Sequence, residues 1–257
     1  MKSFEELISK AENWELKGWD FSSLSDRWVE SPTPWNYRSK VIFAMRRYDS
    51  MLDLGTGGGE FLSSLRPLPL RTYATEGYPP NVPLAKKRLE PLGVRVVQTY
   101  CEDNTKVPQL GSLPFRTGCL GLVIDRHESF VADEIFRVLA PSGRFLTQQV
   151  GSESLIGLNR LLGVEPQDMG AWNLDVAVQQ LEAAGFKVKD RRAATLESWF
   201  ADIGAVVCCL RAIPWQMPGF TVEGYMDRLR ELDRSMREEG GLKVTATRFF
   251  VEAHKAD

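Results

Sequence analysis

Met51-Leu52-Asp53-Leu54-Gly55-Thr56-Gly57-Gly58-Gly59-Glu60 is the stretch that decides the fold. Met51–Leu54 is an apolar run of strand length, and the glycines after it allow a tight turn and close approach of backbone to a ligand. Phe61, Leu62 and Leu65 follow at helical spacing. The stretch therefore predicts a strand, a nest of free amides and a helix.

Outward from this turn the same alternation continues. Thr72–Thr75 is a second strand, and Asn81 with Pro83 opens a helix running through Leu92. Val94–Thr99 and Leu120–Ile124 are strands, Phe130–Leu139 is a helix, and Pro141-Ser142-Gly143 turns the chain into a fifth strand, Arg144–Val150. Strands alternating with helices imply βαβ units and a parallel sheet covered on both faces. Beyond Val150, Leu174–Ala184 reads as a helix stopped by Gly185, with a strand from Phe186. Ile203–Leu210 is apolar, and Val222, Tyr225, Met226, Leu229, Leu232 and Met236 form one stripe of a helix ended by Gly240-Gly241. Thr245–Ala253 alternates as a last strand. Ahead of the turn, Ser3 and Glu6 make a capping box for a short helix. The aromatic, proline-broken stretch Trp19–Tyr37 then reads either as a strap filling the core or as a flap closing over a ligand.

Composition sets the bounds. With 257 residues, 43% apolar and 26% charged, the chain falls among ordinary globular proteins and outside the disordered, collagen-like and coiled-coil classes. Its length allows one large domain or one domain with an added lid. Lys and Arg number 32 against 34 Asp and Glu, so the net charge of −2 supplies no global field toward phosphate backbones or anionic lipid. Nucleic acid is thereby disfavoured as a partner. Cys101, Cys119, Cys208 and Cys209 show no C-x-x-C spacing and read as reduced thiols. With His127 and His254 the only imidazoles, no metal site is expected. The acidic N-terminus and the lack of a membrane-length apolar run lead to the expectation of a cytoplasmic protein with no membrane contact.

Two ligands compete for the glycine turn, a dinucleotide and S-adenosylmethionine. The dinucleotide fingerprint G-x-G-x-x-G requires glycine where this chain has Glu60. A carboxylate there, and Asp53 two residues before Gly55, suit a ligand with a cationic amine and a sulfonium and no phosphate. Glu76, 21 residues after Gly55, is spaced to accept hydrogen bonds from ribose hydroxyls, which both ligands carry.

At this point the chain resembles the class I S-adenosylmethionine-dependent methyltransferases, in their small-molecule, methyltransferase type 11-like branch. The matching blocks are Asp53–Gly59, Ala74–Tyr78, Leu113-Pro114-Phe115, Leu122–His127 and Arg137–Phe145, in that order across about residues 45–150. The resemblance implies an α/β fold: a doubly wound, Rossmann-like, seven-stranded, mostly parallel sheet with the last strand antiparallel. Helices would cover both faces, with a helical lid from the N- and C-terminal parts. Residues 1–40 would form the aromatic strap, and 41–257 the methyltransferase domain with lid insertions at 151–172 and 215–240. It implies that Asp53, Gly55, Thr56 and Gly57 line the methionine side, and that Glu76 binds the ribose with Gly77 and Tyr78 beside the adenine. Glu102 or Asp103 would meet the adenine amine, and Arg126 completes the cofactor set. The inserted stretch Asn104–Ser112 departs from the family pattern and leaves open which of Cys101, Glu102 and Asp103 makes that contact.

Methyl transfer from a sulfonium is an in-line displacement, accelerated mostly by alignment and by exclusion of water. The cover segments therefore matter more than a catalytic triad. His127, past the fourth strand, is the first candidate for a general base, with the alternative that it orients the loop; Glu128 is the second candidate. Trp35, Tyr37 and Gln148 are candidates for substrate contact, and of Gln148 and Gln149 strand alternation turns one away. The resulting expectation is a methyltransferase for a small or medium organic acceptor, monomeric or homodimeric, with S-adenosylhomocysteine as its product. The alternatives are an rRNA or tRNA methyltransferase, a nicotinamide oxidoreductase, or a binding protein that kept the pocket.

Overall fold

The computed structural model describes residues 2–16, 19–99, 112–166 and 170–256. Among them eight strands form one sheet in the order β1-β7-β8-β6-β5-β2-β3-β4. The strands are β1 (Trp28–Glu30), β2 (Ser50–Leu54), β3 (Arg71–Glu76), β4 (Arg95–Gln98), β5 (Leu120–Arg126), β6 (Leu139–Val150), β7 (Lys187–Phe200) and β8 (Leu242–His254). The pairs linking β4, β3, β2, β5 and β6 are parallel, whereas β8 runs antiparallel to both β6 and β7. Seven of these strands are the expected set, and the antiparallel placement of the final strand is as expected.

The eighth strand is a correction to the sequence reading. Trp28–Glu30, assigned above to a strap, pairs antiparallel with Ser198–Phe200 at the sheet edge. Three residues are too few for a periodic pattern, so composition gave no sign of it. Strands β7 and β8 also run longer than Phe186–Arg191 and Thr245–Ala253, because they pair along a hairpin-like ladder from Lys187↔His254 to Phe200↔Leu242. The charged run Lys187–Arg192 sits half-exposed at the lower part of that ladder, and polar edge residues conceal its length in a hydrophobicity reading.

The central strands show why the sheet lies where it does. Strand β2 is buried throughout, and so is β5 up to Arg126. Side-chain alternation sends Leu52 and Val123 to one face and Met51, Leu122 and Ile124 to the other. The first face packs on α5 (Ala132–Val138) and α7 (Leu174–Ala183) through Ile135, Val138, Ala177 and Leu181. The second packs on α2 (Tyr37–Met45), α3 (Glu60–Ser64) and α4 (Asn81–Leu89) through Val41, Met45, Leu62, Ala85 and Leu89. A third cluster joins the ends of β7 and β8 to α1 (Phe4–Glu12), α6 (Ile156–Leu161), α8 (Ile203–Ala212) and α9 (Met226–Glu239).

Local signals fix the ends of several helices. The capping box at Ser3 and Glu6 is formed, with both reciprocal hydrogen bonds present. The apolar stretch from Ile203 is α8, and it is helical because Asp202 caps it by accepting from the Ala205 amide at 3.1 Å. Arg27 Nε donates to the same carboxylate at 2.8 Å, tying the N-terminal segment to the cap of α8. No helix among the described residues is long and apolar enough to cross a membrane.

Candidate active site

The carboxyl ends of β2, β3 and β5 lie side by side, in registers that pair Asp53 with Ala74 and Leu54 with Asp125. Open α/β sheets place their ligands at this edge. Gly55, Gly57 and Gly59 all have positive φ, of 61°, 61° and 82°. Two of these glycines also have other residues packed closely on them. A Cβ on Gly55 would fall within 2.6 Å of the Glu128 side chain, and one on Gly57 would meet the Trp19 ring at 3.1 Å. The turn therefore has a carboxylate laid against one glycine and an indole against the next.

Asp53 is 4% exposed, and its Oδ2 accepts from the Thr56 hydroxyl at 2.7 Å. Burial pushes its carboxyl up to about 7, against the pull of that hydrogen bond and of Arg126. Glu76 is equally buried, accepts from the Tyr78 amide at 2.8 Å, and is also raised by desolvation. Glu128 is half-buried and is raised to about 7, first by burial and then by the charge of Glu76. Asp125, fully buried at the end of β5, is raised by desolvation and by the charges of Glu128 and Asp53. Four acids thus share one strand edge, and all four are harder to ionise than usual.

Glu60, expected above to help repel a phosphate, is placed differently. It forms an ion pair with Arg88 of α4, whose guanidinium also donates to the Gly58 carbonyl. Its charge is neutralised and its role is to brace the turn against α4. Nothing in the spacing of Glu60 and Arg88, 28 residues apart, announced this pair. The negative character of the site comes from Asp53, Glu76, Glu128 and Asp125.

On the neighbouring side, His127 has φ 70°, unusual for a residue with a side chain. Its amide donates to the Gln148 carbonyl at 2.8 Å. The Trp35 indole, a donor only, reaches Gln148 Oε1 at 2.8 Å, and this turns the Gln148 Nε2 toward His127 Nε2 at 3.1 Å. His127 Nε2 is therefore the acceptor, and the ring proton sits on Nδ1. Burial of the surroundings and the charges of Arg248 and Arg126 hold this imidazole below its ordinary pKa. Although His127 is exposed, a protonated ring would set one donor against another at Gln148, which acts in the same direction. The lone pair that a general base needs is already engaged.

The other expected residues divide between the cleft and its supports. Trp35 and Tyr37 are buried, and the Tyr37 hydroxyl donates to the Asp125 carbonyl at 2.8 Å while accepting from the Asp125 amide at 3.1 Å. With its hydroxyl committed to backbone, Tyr37 positions the end of β5. Gln149 points to the opposite face from Gln148, as alternation requires, and donates to Asp125 Oδ2 at 2.9 Å and the Glu128 carbonyl at 2.8 Å. Arg126 is exposed, with its guanidinium 5.1 Å from the centre of the Phe61 ring. Gly77 is half-buried and Tyr78 is exposed beside Glu76. Glu102 and Asp103, the expected adenine contacts, lie outside the described residues. Among the described residues no group of three or more His, Cys, Asp or Glu could hold a metal ion.

Sequence reasoning missed the contacts of Trp19. Its ring lies 5.8 Å from Trp215 and 6.1 Å from Phe21, so segments 196 residues apart in sequence meet at the ring that packs on Gly57. It also missed the ion pair of Arg248 on β8 with Glu30 on β1, 2.5 Å across the added edge of the sheet.

A doubly wound sheet with a glycine nest after its central strand is a Rossmann-like fold. Residues 52–147 match the family described as methyltransferase domain. Among solved structures, the YcgJ protein of Bacillus subtilis is similar at 17% identity and TM-score 0.59, over 86% of this chain and 98% of that one. A putative methyltransferase from Bacillus halodurans is similar at 17% identity and TM-score 0.54, over 80% and 92%. The [4+2]-cyclase SpnF is similar at 16% identity and TM-score 0.50, over 85% and 80%. These likenesses show the fold. No curated protein matches the sequence.

Proposed function

We propose that this protein is an S-adenosylmethionine-dependent methyltransferase acting on a small or medium organic acceptor. The observation that carries the reading is the cluster of Asp53, Glu76 and Glu128 around the glycine turn, each raised by burial. Acids held in a low dielectric without a counter-charge are unfavourable as anions, and a bound cation relieves them. A pyrophosphate at the same turn would meet repulsion on three sides. The cofactor supplies a methyl group on positively charged sulfur. The fold alone would not settle the chemistry, since a cyclase shares it.

Within this reading Asp53 takes the cofactor amine, Glu76 the ribose hydroxyls, and Gly55, Thr56 and Gly57 provide backbone at close range, with Gly77 and Tyr78 beside the adenine. Arg126 suits the cofactor carboxylate. Glu128 is the better general base, since its carboxyl at about 7 is half ionised near neutrality and its carboxylate oxygens are not both committed. His127 serves as a neutral Nδ1–H donor toward the acceptor, held by the Trp35–Gln148 relay. Trp19 packs on Gly57 with Trp215 beside it.

Isothermal titration with S-adenosylmethionine, S-adenosylhomocysteine and NADH tests the assignment. Micromolar binding of the first two supports it. Preference for NADH would replace it with the oxidoreductase alternative.

A further inference from the structure

Trp19 does more than shield the turn. Its ring is packed on the Gly57 backbone, with Cδ1 3.1 Å from the position a Cβ would occupy, a tight fit for any side chain there. It is nevertheless 40% exposed, and its neighbour Trp215 is 38% exposed, so two large rings stay open to solvent beside the nest. Exposed large aromatics grouped beside buried polar side chains suit a ligand surface. The segment carrying Trp19 is secured from several directions. Trp14 Nε1 donates to Ser23 at 3.0 Å, Trp28 Nε1 donates to Ser198 at 2.9 Å, and Asp20 is stabilised as an anion first by Ser22 and further by Arg88, the residue that braces Gly58.

We infer that Trp19 is a cofactor-binding residue that recognises the positive charge on sulfur, so that the site grips the methyl donor and loosens on the demethylated product. This rests on the methyltransferase reading above. An aromatic face attracts a cation and has no such attraction for a neutral thioether. Methyl transfer breaks the carbon–sulfur bond, and its electron pair stays on sulfur and cancels the charge. The acceptor gains the methyl carbon and gives up its proton. The charge that Trp19 and the acids Asp53 and Glu128 favour is thus halved at the moment of reaction, because the amine remains and the sulfonium is gone. Asp53 keeps the amine in donor and product alike, so part of the acids' attraction is common to both. Trp19 supplies the selective part.

The test is a pair of binding constants. Calorimetry on the full chain measures S-adenosylmethionine and S-adenosylhomocysteine against wild type, Trp19→Leu and Trp19→Phe, with thermal melting to confirm that each variant is folded. Leucine keeps an apolar cover and removes the π face. We expect Trp19→Leu to weaken S-adenosylmethionine about fivefold or more and S-adenosylhomocysteine less than about twofold, with Trp19→Phe in between. Equal losses for both ligands would overturn the inference and leave Trp19 as a shield, with the methyltransferase reading intact. Binding of neither ligand to wild type would overturn that reading itself, and the inference with it. Should Trp19→Leu melt before it can be titrated, the same ratio read from Trp19→Phe decides, and an unchanged ratio there refutes the charge recognition.

Discussion

Asp53→Asn separates binding from stability with opposite signs. In the unfolded chain this carboxyl titrates at 3.8, and in the fold burial moves it to about 7. The folded state holds the proton more tightly, so the contribution of Asp53 to stability falls as pH rises from 3.8 to about 7 and is constant above that. At about 1.4 kcal/mol for each pH unit, the whole interval caps the cost at roughly 4 kcal/mol. Asn keeps an acceptor for the Thr56 hydroxyl and carries no charge. The variant without ligand should be more stable than wild type at pH 8. Its advantage should shrink by about 2–3 kcal/mol between pH 8 and pH 5, the part of the interval that lies between 5 and about 7. Because the comparison is a difference between two proteins at each pH, titration of groups distant from Asp53 cancels, and only its neighbours Glu76 and Asp125 shift with it. Urea unfolding at pH 5 and pH 8 measures it. The same variant should lose about tenfold to a hundredfold in affinity for S-adenosylmethionine at pH 8, since a charged hydrogen-bond partner is gone. A variant no more stable than wild type at pH 8 would mean that Asp53 is solvated or already paired, and the electrostatic reading of the site would fail.

Gly55→Ala should abolish cofactor binding and lower stability by about 1–3 kcal/mol, because a side chain at φ 61° is strained and would intrude on Glu128; calorimetry and urea melts check both. Glu128→Gln should remove the acid limb of the pH–rate profile. The wild-type rate should fall about tenfold per pH unit below about 7 as Glu128 is protonated, and the variant should be slower by about 10²–10⁴-fold with no limb there. A retained limb would assign the proton transfer elsewhere. Tyr37→Phe should cost about 1–3 kcal/mol with little change in cofactor affinity, since the Asp125 amide loses its buried partner; a change under about 0.5 kcal/mol by chemical denaturation would show that the backbone finds another.

The parallel core was legible because it is built from local rules. Met51–Leu54 and Leu120–Ile124 are apolar on both faces, and a strand buried on both sides needs no partner information to be recognised. Glycines at positive φ announced the turn by composition. What was not legible depended on contacts between distant segments. Glu60 looked like a ligand-facing acid until Arg88 came to it from α4. His127 looked like a base until Trp35, far earlier in the chain, turned the Gln148 amide onto it. Tyr37 looked like a pocket aromatic until its hydroxyl was found bridging the ends of β5 and β6. Strand β1 exists only because the end of β7 offers it an unpaired edge.

These displaced roles share a direction. Polar groups that sequence reading aimed at the ligand are consumed in holding others still, and the groups left uncompensated are the carboxylates. Arg88 neutralises Glu60, whereas Asp53 keeps a hydroxyl and the weaker pull of Arg126, Glu128 accepts from the Ser129 amide beside it, and Asp125 is fastened by Glu128 N, Thr147 and Gln149. A protein pays in stability for acids left in this condition, and selection for folding alone would replace them with amides. Their retention at one strand edge, over a turn whose glycines exclude side chains, is accounted for by a ligand that brings positive charge and little bulk to the backbone. A phosphorylated nucleotide would make the same edge worse. The instability of the empty site and its preference for a cation are thus one electrostatic fact, which is why the single substitution at Asp53 should move stability and affinity in opposite directions.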